Sequence, residues 1–390
     1  MTKNRLYDEF GYEKFGPFLY GFTEWLRKNL KKSGHSKVFF LSRDGYMMEK
    51  ANEIFQTTDK MECEFEYIYF SRNSLRHALL WTTESYEDSF RYLTYSKYIP
   101  FAEIVSYYGL EKEDIEKNLA WKDKWDQDIA FEHLRQDQEV KNLYETFSEE
   151  IKVRSREQYQ LIIKYFDQIC FFQDDVAIVD IGWHGTMQAY LEELVKVAGK
   201  STKVTGYYVG IHADQRVSGP VRGYMYEDGL SRKRKELLCF FGVVEKFFQS
   251  QEGSAKGYQE IKGKIVPTQE EYEYQDDADV VKILQSLQSG ALRYVKDEDQ
   301  KKTGDADMKK YEKPLLRFGK YPTLKETRLF RFLYNTDGMK VYFLPQKPLM
   351  KYGLKEFMHA LSNSCWKTGF LKEAFKLPLP YYYVYELLRK

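Results

Sequence analysis

Cysteine is scarce in this chain: Cys63, Cys170, Cys239 and Cys365 are the only four in 390 residues. No two stand at metal-ligand spacing or in a C-x-x-C pair. That removes a disulfide framework and a thiolate zinc site, and a reducing cytoplasm is the expectation. Long apolar runs are missing too. No uncharged stretch reaches the length of a membrane-crossing helix, and residues 1–16 carry no apolar signal-peptide core. Proline is limited to 10 residues, and no low-complexity linker interrupts the chain. Neither sign of charge dominates: 60 basic and 59 acidic residues give a net charge of +1, which argues against nucleic acid as a partner. Three common catalytic signatures are also lacking, namely G-x-x-x-x-G-K-S/T, H-E-x-x-H and G-x-S-x-G. The usual ATPase, zinc-protease and serine-hydrolase readings therefore lose their support.

What is present is a large aromatic and aliphatic complement. The chain is 43% hydrophobic and 17% aromatic, with 33 Tyr and 27 Phe, enough for a sizeable core. Its length allows two domains, or one domain with a large insertion. Apolar residues at helical spacing over 15–30 lead into a strand at 38–41, a helix from Met47 to Phe55 and a strand at 65–70. From about 85 to 172 strand signals vanish, and charged and apolar residues alternate at three and four spacing. Strands return at 176–181 and 204–211, with a candidate edge strand at 221–226. Residues 236–248 read as helix, a hairpin follows through Val266, 269–307 is polar enough to be read as mobile, and 311–390 is mostly helical. The expected fold is α/β: a Rossmann-like, mainly parallel sheet from 1–84 and 173–266, a helical insertion at 85–172 lying over one end of the sheet, and a helical C-terminal region at 267–390.

Two turns carry the candidate chemistry. Each follows an apolar strand and combines an Asp with Gly before a helix, the arrangement that places a ligand site at the carboxyl ends of strands in an open α/β sheet. The first is Ser42-Arg43-Asp44-Gly45-Tyr46. Arg43 would grip a phosphate with its planar fork, Asp44 would serve as acid/base or Mg²⁺ ligand, and Gly45 would let the backbone approach a ligand. The second is Asp180-Ile181-Gly182-Trp183-His184-Gly185-Thr186. Gly182, Gly185 and Thr186 suit an anion cradle at a helix start, although Thr186 serves equally as an N-cap. His184 is a candidate acid/base or phosphate contact, and Trp183 a candidate stacking platform or core residue. The second strand ends in Ser71-Arg72-Asn73, which adds Arg72 as a second phosphate cation. Glu245, Ser254 and Tyr258 are weaker candidates. Arg232–Lys235 reads as a solvated basic face or a polyanion contact.

The strings FLSRDGY (40–46), YFSRNSL (69–75), VDIGWHGTMQ (179–188) and GSAKGY (253–258) resemble bacterial proteins encoded among surface-polysaccharide genes. Those proteins carry the label of hydrolases of the haloacid dehalogenase (HAD) superfamily. The resemblance implies that Asp44-Gly45-Tyr46 matches the superfamily's Asp-Gly-Thr, that Ser71 matches its phosphate-binding Ser/Thr, and that Asp180 matches its late metal-binding acid. Ser42 then falls where the nucleophilic Asp belongs. The resemblance further implies that a complete Asp-x-Asp domain precedes this portion in many relatives. A neutral Ser is a poor nucleophile without a base, so phosphoryl or glycosyl transfer on a sugar phosphate or nucleotide sugar is expected ahead of hydrolysis. Two alternatives stand beside it. VDIGWHGT is loosely similar to a phosphoribosyltransferase phosphate loop. The aromatic and basic C-terminal region, including Phe370, Leu371, Phe375, Leu377 and Tyr381–Tyr383, would instead suit an adaptor that docks on a membrane surface or a glycosyltransferase. A site plugged by Trp183 or Tyr46 would favour the adaptor.

Overall fold

The computed structural model describes residues 3–94, 98–116, 118–301, 308–335 and 340–388. Its strands are β1 (Lys37–Leu41), β2 (Glu64–Ile68), β3 (Tyr98–Pro100), β4 (Asp128–Ala130), β5 (Asp175–Trp183), β6 (Lys203–Ile211), β7 (Val221–Gly223), β8 (Ala255–Ile261) and β9 (Lys264–Gln269), with a two-residue pair, β10 (Tyr334–Asn335) and β11 (Val341–Tyr342), near the C-terminus. One five-stranded sheet, ordered β2-β1-β5-β6-β7, is parallel throughout. The α/β expectation holds, and β7 is an edge strand, with β2 at the other edge. Three antiparallel pairs, β3–β4, β8–β9 and β10–β11, lie outside this sheet.

The central strands are apolar on both faces, as a covered parallel sheet requires. All five residues of β1 are buried. Successive side chains then feed two cores. Val38, Phe40, Ala177, Val179, Tyr207 and Val209 join one core, and Phe39, Leu41, Val176, Ile178 and Val204 join the other. The first core is covered by helices Gly16–Ser33, Tyr46–Thr58, Phe241–Phe248, Ala278–Gln300 and Lys309–Lys320. Helix Gly16–Ser33 is well punctuated, with Pro17 in its first turn and Gly34 at φ 71° closing it.

The insertion differs from expectation in its placement. Residues Leu75 to Phe171 supply the second core together with Phe39 and Ile178, so the insertion covers a face of the sheet and not an end. Its spine is the 31-residue helix Gln138–Gln168. The polar stretch after 269 also differs. Residues 278–300 form a helix whose Val280, Ile283, Leu284, Leu287, Ala291 and Val295 are buried, and residues 302–307 lie outside the described residues. The helical signal was there at the right spacing but was outweighed by charged neighbours on the solvent face. Arg232–Lys235 opens a helix whose Arg232 pairs with Glu236 and whose Lys233 pairs with Glu312, which accounts for part of that basic run by internal ion pairs.

Helix Ala278–Gln300 approaches the N-terminal helix closely enough that glycine is required at the contact. A Cβ on Gly290 would run into the backbone carbonyl of Asp8, and one on Gly11 into the carbonyl of Leu287. Gly290→Ala should therefore destabilise the fold despite a helix-propensity gain of about 1 kcal/mol, because overpacking against backbone costs roughly 1–3 kcal/mol. Urea unfolding should show a lower midpoint for the variant; an unchanged or raised midpoint would mean the helices can part without cost.

Candidate functional site

A parallel sheet delivers the carboxyl ends of its strands to one edge. In this sheet the chain runs outward from β1 to β2, then crosses to β5 and continues through β6 and β7. The order reverses between β1 and β5, and such a switch point opens a crevice between the loops that follow the two strands. Asp44 lies in the loop after β1, and Asp180 lies near the end of β5.

The first turn is held tightly. The Ser42 N–H donates to Ile68 O at 2.8 Å, and the Gly45 N–H donates to Leu41 O at 2.7 Å. A Cβ on Gly45 would lie 2.7 Å from both the Leu41 nitrogen and oxygen. Glycine is thus needed to fold the turn against its own strand, and Gly45 does not line the crevice. The Ser42–Arg43 peptide is cis. The second turn twists through Gly182 at φ 104°, Trp183 at φ 67° and Gly185 at φ 68°. Helix Thr186–Val197 follows with Gly185 at its N-cap and no side chain capping it, so its first amides remain available to an anion. Trp183 occupies a backbone region that costs a non-glycine residue about 1–3 kcal/mol. Its indole Nε1 donates to Glu245 Oε1 at 2.6 Å, which fixes the ring against the neighbouring helix Phe241–Phe248.

These turns wall a cavity of about 330 Å³. Ser42, Arg43, Asp44, Ser71, Arg72, Asp180, Gly182, Trp183, His184, Gly185 and Thr186 all line it. Six acidic residues line it, Asp44, Asp180, Glu245, Glu270, Glu271 and Glu273, and the first three raise one another's pKa or are raised by burial. Burial, then the charge of Asp44, pushes Asp180 up to about 8, against the pull of the Ile181 amide. Burial, then Asp44, pushes Glu245 up to about 7, against its hydrogen bond from Trp183. Asp44 is itself raised by burial, opposed by Gln249 and by the charges of Arg43, Lys246 and Arg72. Its Oδ1 is buried without a hydrogen-bond partner. Like charges in a poorly solvated site cannot all ionise, so near neutral pH the cluster retains a proton.

The cations divide in two. Lys246 and Arg43 turn to Glu273, at 2.5 Å and 3.8 Å, and the Lys246–Glu273 pair is buried. Arg72 is exposed and makes no ion pair among the described residues, yet its charge reaches all three carboxyls. Ser71 lines the cavity, but its hydroxyl donates to Ala255 O at 2.5 Å and accepts the Ser74 N–H at 2.9 Å, which commits it to capping. The Ser42 hydroxyl donates to Phe70 O at 3.2 Å. His184 is held below the usual histidine range by burial, then by the Arg234 charge, and answers to His212 and Asp214 rather than to the carboxyls. It stands exposed at the rim of the cavity.

Sequence reasoning ranked Glu245 low and missed Lys246, Gln249 and Glu273. A faint signal existed: Glu245 and Lys246 are the only charges in the apolar octet FGVVEKFF. Tyr258, also considered, is buried elsewhere and donates to Tyr69 O at 2.7 Å. Among the described residues no group of three or more His, Cys, Asp or Glu is placed to hold a metal ion. No helix among them is long and apolar enough to cross a membrane. No protein-family model matches the chain, and no curated protein matches it significantly.

The raised Asp180 makes stability depend on pH with a definite sign. A carboxyl with a folded pKa near 8 and an unfolded value near 3.9 holds its proton more tightly when folded. The stability this lends is complete below about pH 4 and is lost as pH rises to about 8. Asn cannot ionise. The stability of Asp180→Asn relative to wild type should therefore increase from pH 5 to pH 8, by about 1 kcal/mol or more, in paired urea titrations. A gap that stays constant or narrows would place an ordinary carboxylate at this position.

Proposed function

We propose that the chain is an acid–base enzyme of bacterial surface-polysaccharide assembly, acting in the cytoplasm or at the inner membrane face on a sugar phosphate or nucleotide sugar by phosphoryl or glycosyl transfer. The observation that carries this reading is the convergence of Asp44, Asp180 and Glu245 on one cavity with Arg72, which makes no ion pair among the described residues, at the switch point of the sheet. Arg72 and the open amides of helix Thr186–Val197 would take the phosphate. Asp180 would give its proton to the leaving oxygen, since a pKa near 8 keeps it protonated at neutral pH. Asp44, with its free Oδ1, would accept a proton from the attacking hydroxyl. Glu245, tied to Trp183, would tune both.

The likeness to HAD-type hydrolases enters here only as an expectation about substrate class. Ser42 stands where that family's nucleophile belongs, and its hydroxyl donates to Phe70 O, which speaks against that role. Mg²⁺ would be an alternative to the Asp180 proton: two carboxylates, Asp44 and Asp180, completed by substrate phosphate oxygens are a common ligand set, and one Asp44 oxygen is buried without a hydrogen-bond partner. Bound there, the ion would neutralise phosphate charge. An adaptor would be favoured by a plugged site. Trp183 forms a wall of the cavity, and Tyr46 packs on Tyr67 outside it, so the observation favours the enzyme.

A thermal-shift screen of sugar phosphates, nucleotide sugars and nucleotides, with and without Mg²⁺, tests the reading. A ligand at 100 times its dissociation constant should stabilise the protein by about 2.7 kcal/mol. Arg72→Ala should abolish that shift. With the turnover assay such a ligand permits, Asp180→Asn should lose about 100-fold or more. Ser42→Ala should stay within about tenfold, or about 1.4 kcal/mol. Phosphoserine trapped at position 42, or a shift indifferent to Arg72, would contradict the assignment.

A further inference from the structure

A second cavity, of about 600 Å³, adjoins the first and has the opposite chemistry. Leu238, Phe241, Met358, Leu361 and Leu371 line it, and Trp183 and His184 line both cavities. Trp183 is the partition. Its Nε1 edge is bound to Glu245 on the polar side, while its ring meets Phe241 edge-on at 6.2 Å on the apolar side. Phe241 and Glu245 stand four residues apart on one helix, so a single helix face serves both compartments. The volume lies within the range of about 300–1,000 Å³ common to small-molecule sites.

The apolar cavity is built from helices Leu354–Asn363, Lys367–Phe375 and Tyr381–Leu388, which carry unusually many exposed apolar side chains. Leu354, one turn before Met358, is 79% exposed, and Leu387 is 69% exposed. Met350, Phe375, Leu377 and Leu379 are exposed as well. Residues 340–388 hold seven lysines against three acids, so the surface around this apolar fringe is basic. Basic and apolar groups together suit the interface of an anionic bilayer.

We infer that the two cavities form one amphiphilic site, and that its substrate is a lipid phosphate whose head lies against Arg72 and the helix Thr186–Val197 and whose hydrocarbon tail fills the cavity beyond Trp183. This rests on the phosphate reading of the polar cavity and adds the chemical class of the group that carries the phosphate. The tail reaches its cavity through the exposed fringe of the C-terminal helices, and the lipid is drawn from a membrane surface.

Binding of decyl phosphate, below its micelle-forming concentration, compared with propyl phosphate tests this on the full chain. Decyl phosphate should bind at least tenfold more tightly. Met358→Glu places a charge in the apolar wall at a half-exposed position where folding tolerates it, and should erase that advantage while leaving propyl phosphate unaffected. Arg72→Ala should weaken both ligands. Equal affinity for the two chain lengths, with propyl phosphate still dependent on Arg72, would overturn the lipid inference and leave the phosphate reading intact. Decyl phosphate binding that ignores Arg72 would show a tail site not joined to a head site, and would also overturn it. If neither alkyl phosphate binds, the inference fails and the phosphate reading fails with it.

Discussion

The repulsion among Asp44, Asp180 and Glu245 is the constraint around which the site is organised. Each carboxyl comes from a different part of the chain, and burial removes the water that would screen it. Desolvation is the first cause of the raised pKa in all three. The neighbouring Lys246 and Arg43 offset it only partly, because both are engaged by Glu273. A cluster left short of positive charge can gain it from a proton or from a divalent cation. In the proposed function, acid–base chemistry and Mg²⁺ binding would be two outcomes of one electrostatic shortfall, and Arg72 would meet the anion that either serves.

The fold supplies this arrangement through ordinary parallel-sheet geometry. Register between β1 and β5, with Phe40 opposite Val179, sets Asp180 level with the end of β1 and brings the Asp44 turn beside it. The two cores pack on either face of the sheet that carries both turns. Helix Phe241–Phe248, seated in the first core by Phe247 and Phe248, brings Glu245 and Lys246 over the crevice from outside the sheet. Its opposite end carries Phe241 into the apolar compartment. The same rigid element therefore couples the head and tail halves of the proposed substrate site.

Much of this was legible in the residues because strand ends are local signals. A β-branched or aromatic run, an Asp and a Gly are adjacent in sequence, and a parallel sheet takes all such ends to one edge. Asp44, Arg72 and Asp180 followed from that alone. Glu245, Lys246, Gln249 and Glu273 did not, because they reach the site by tertiary docking and no spacing announces where a helix will land. The insertion illustrates the same limit. Its helical content was readable, but covering a face instead of an end depends on which apolar stripe meets Phe39 and Ile178. Residues 278–300 were obscured by composition: a buried stripe from Val280 to Val295 sits among charges that point to solvent. Gly45 was misread in role. The turn needs glycine for contact with Leu41, not for access by a ligand.

The most direct test of the account is a carbon-13 NMR titration of the Asp and Glu side-chain carboxyls, in wild type and in Asp180→Asn. The account predicts at least one carboxyl titrating near pH 7–8, where Asp180 and Glu245 are placed, and its loss or downward shift when Asp180 is replaced. If every carboxyl in wild type titrates below about pH 5, in the ordinary range for Asp and Glu, the cluster holds no proton near neutral pH and the acid–base assignment falls with it.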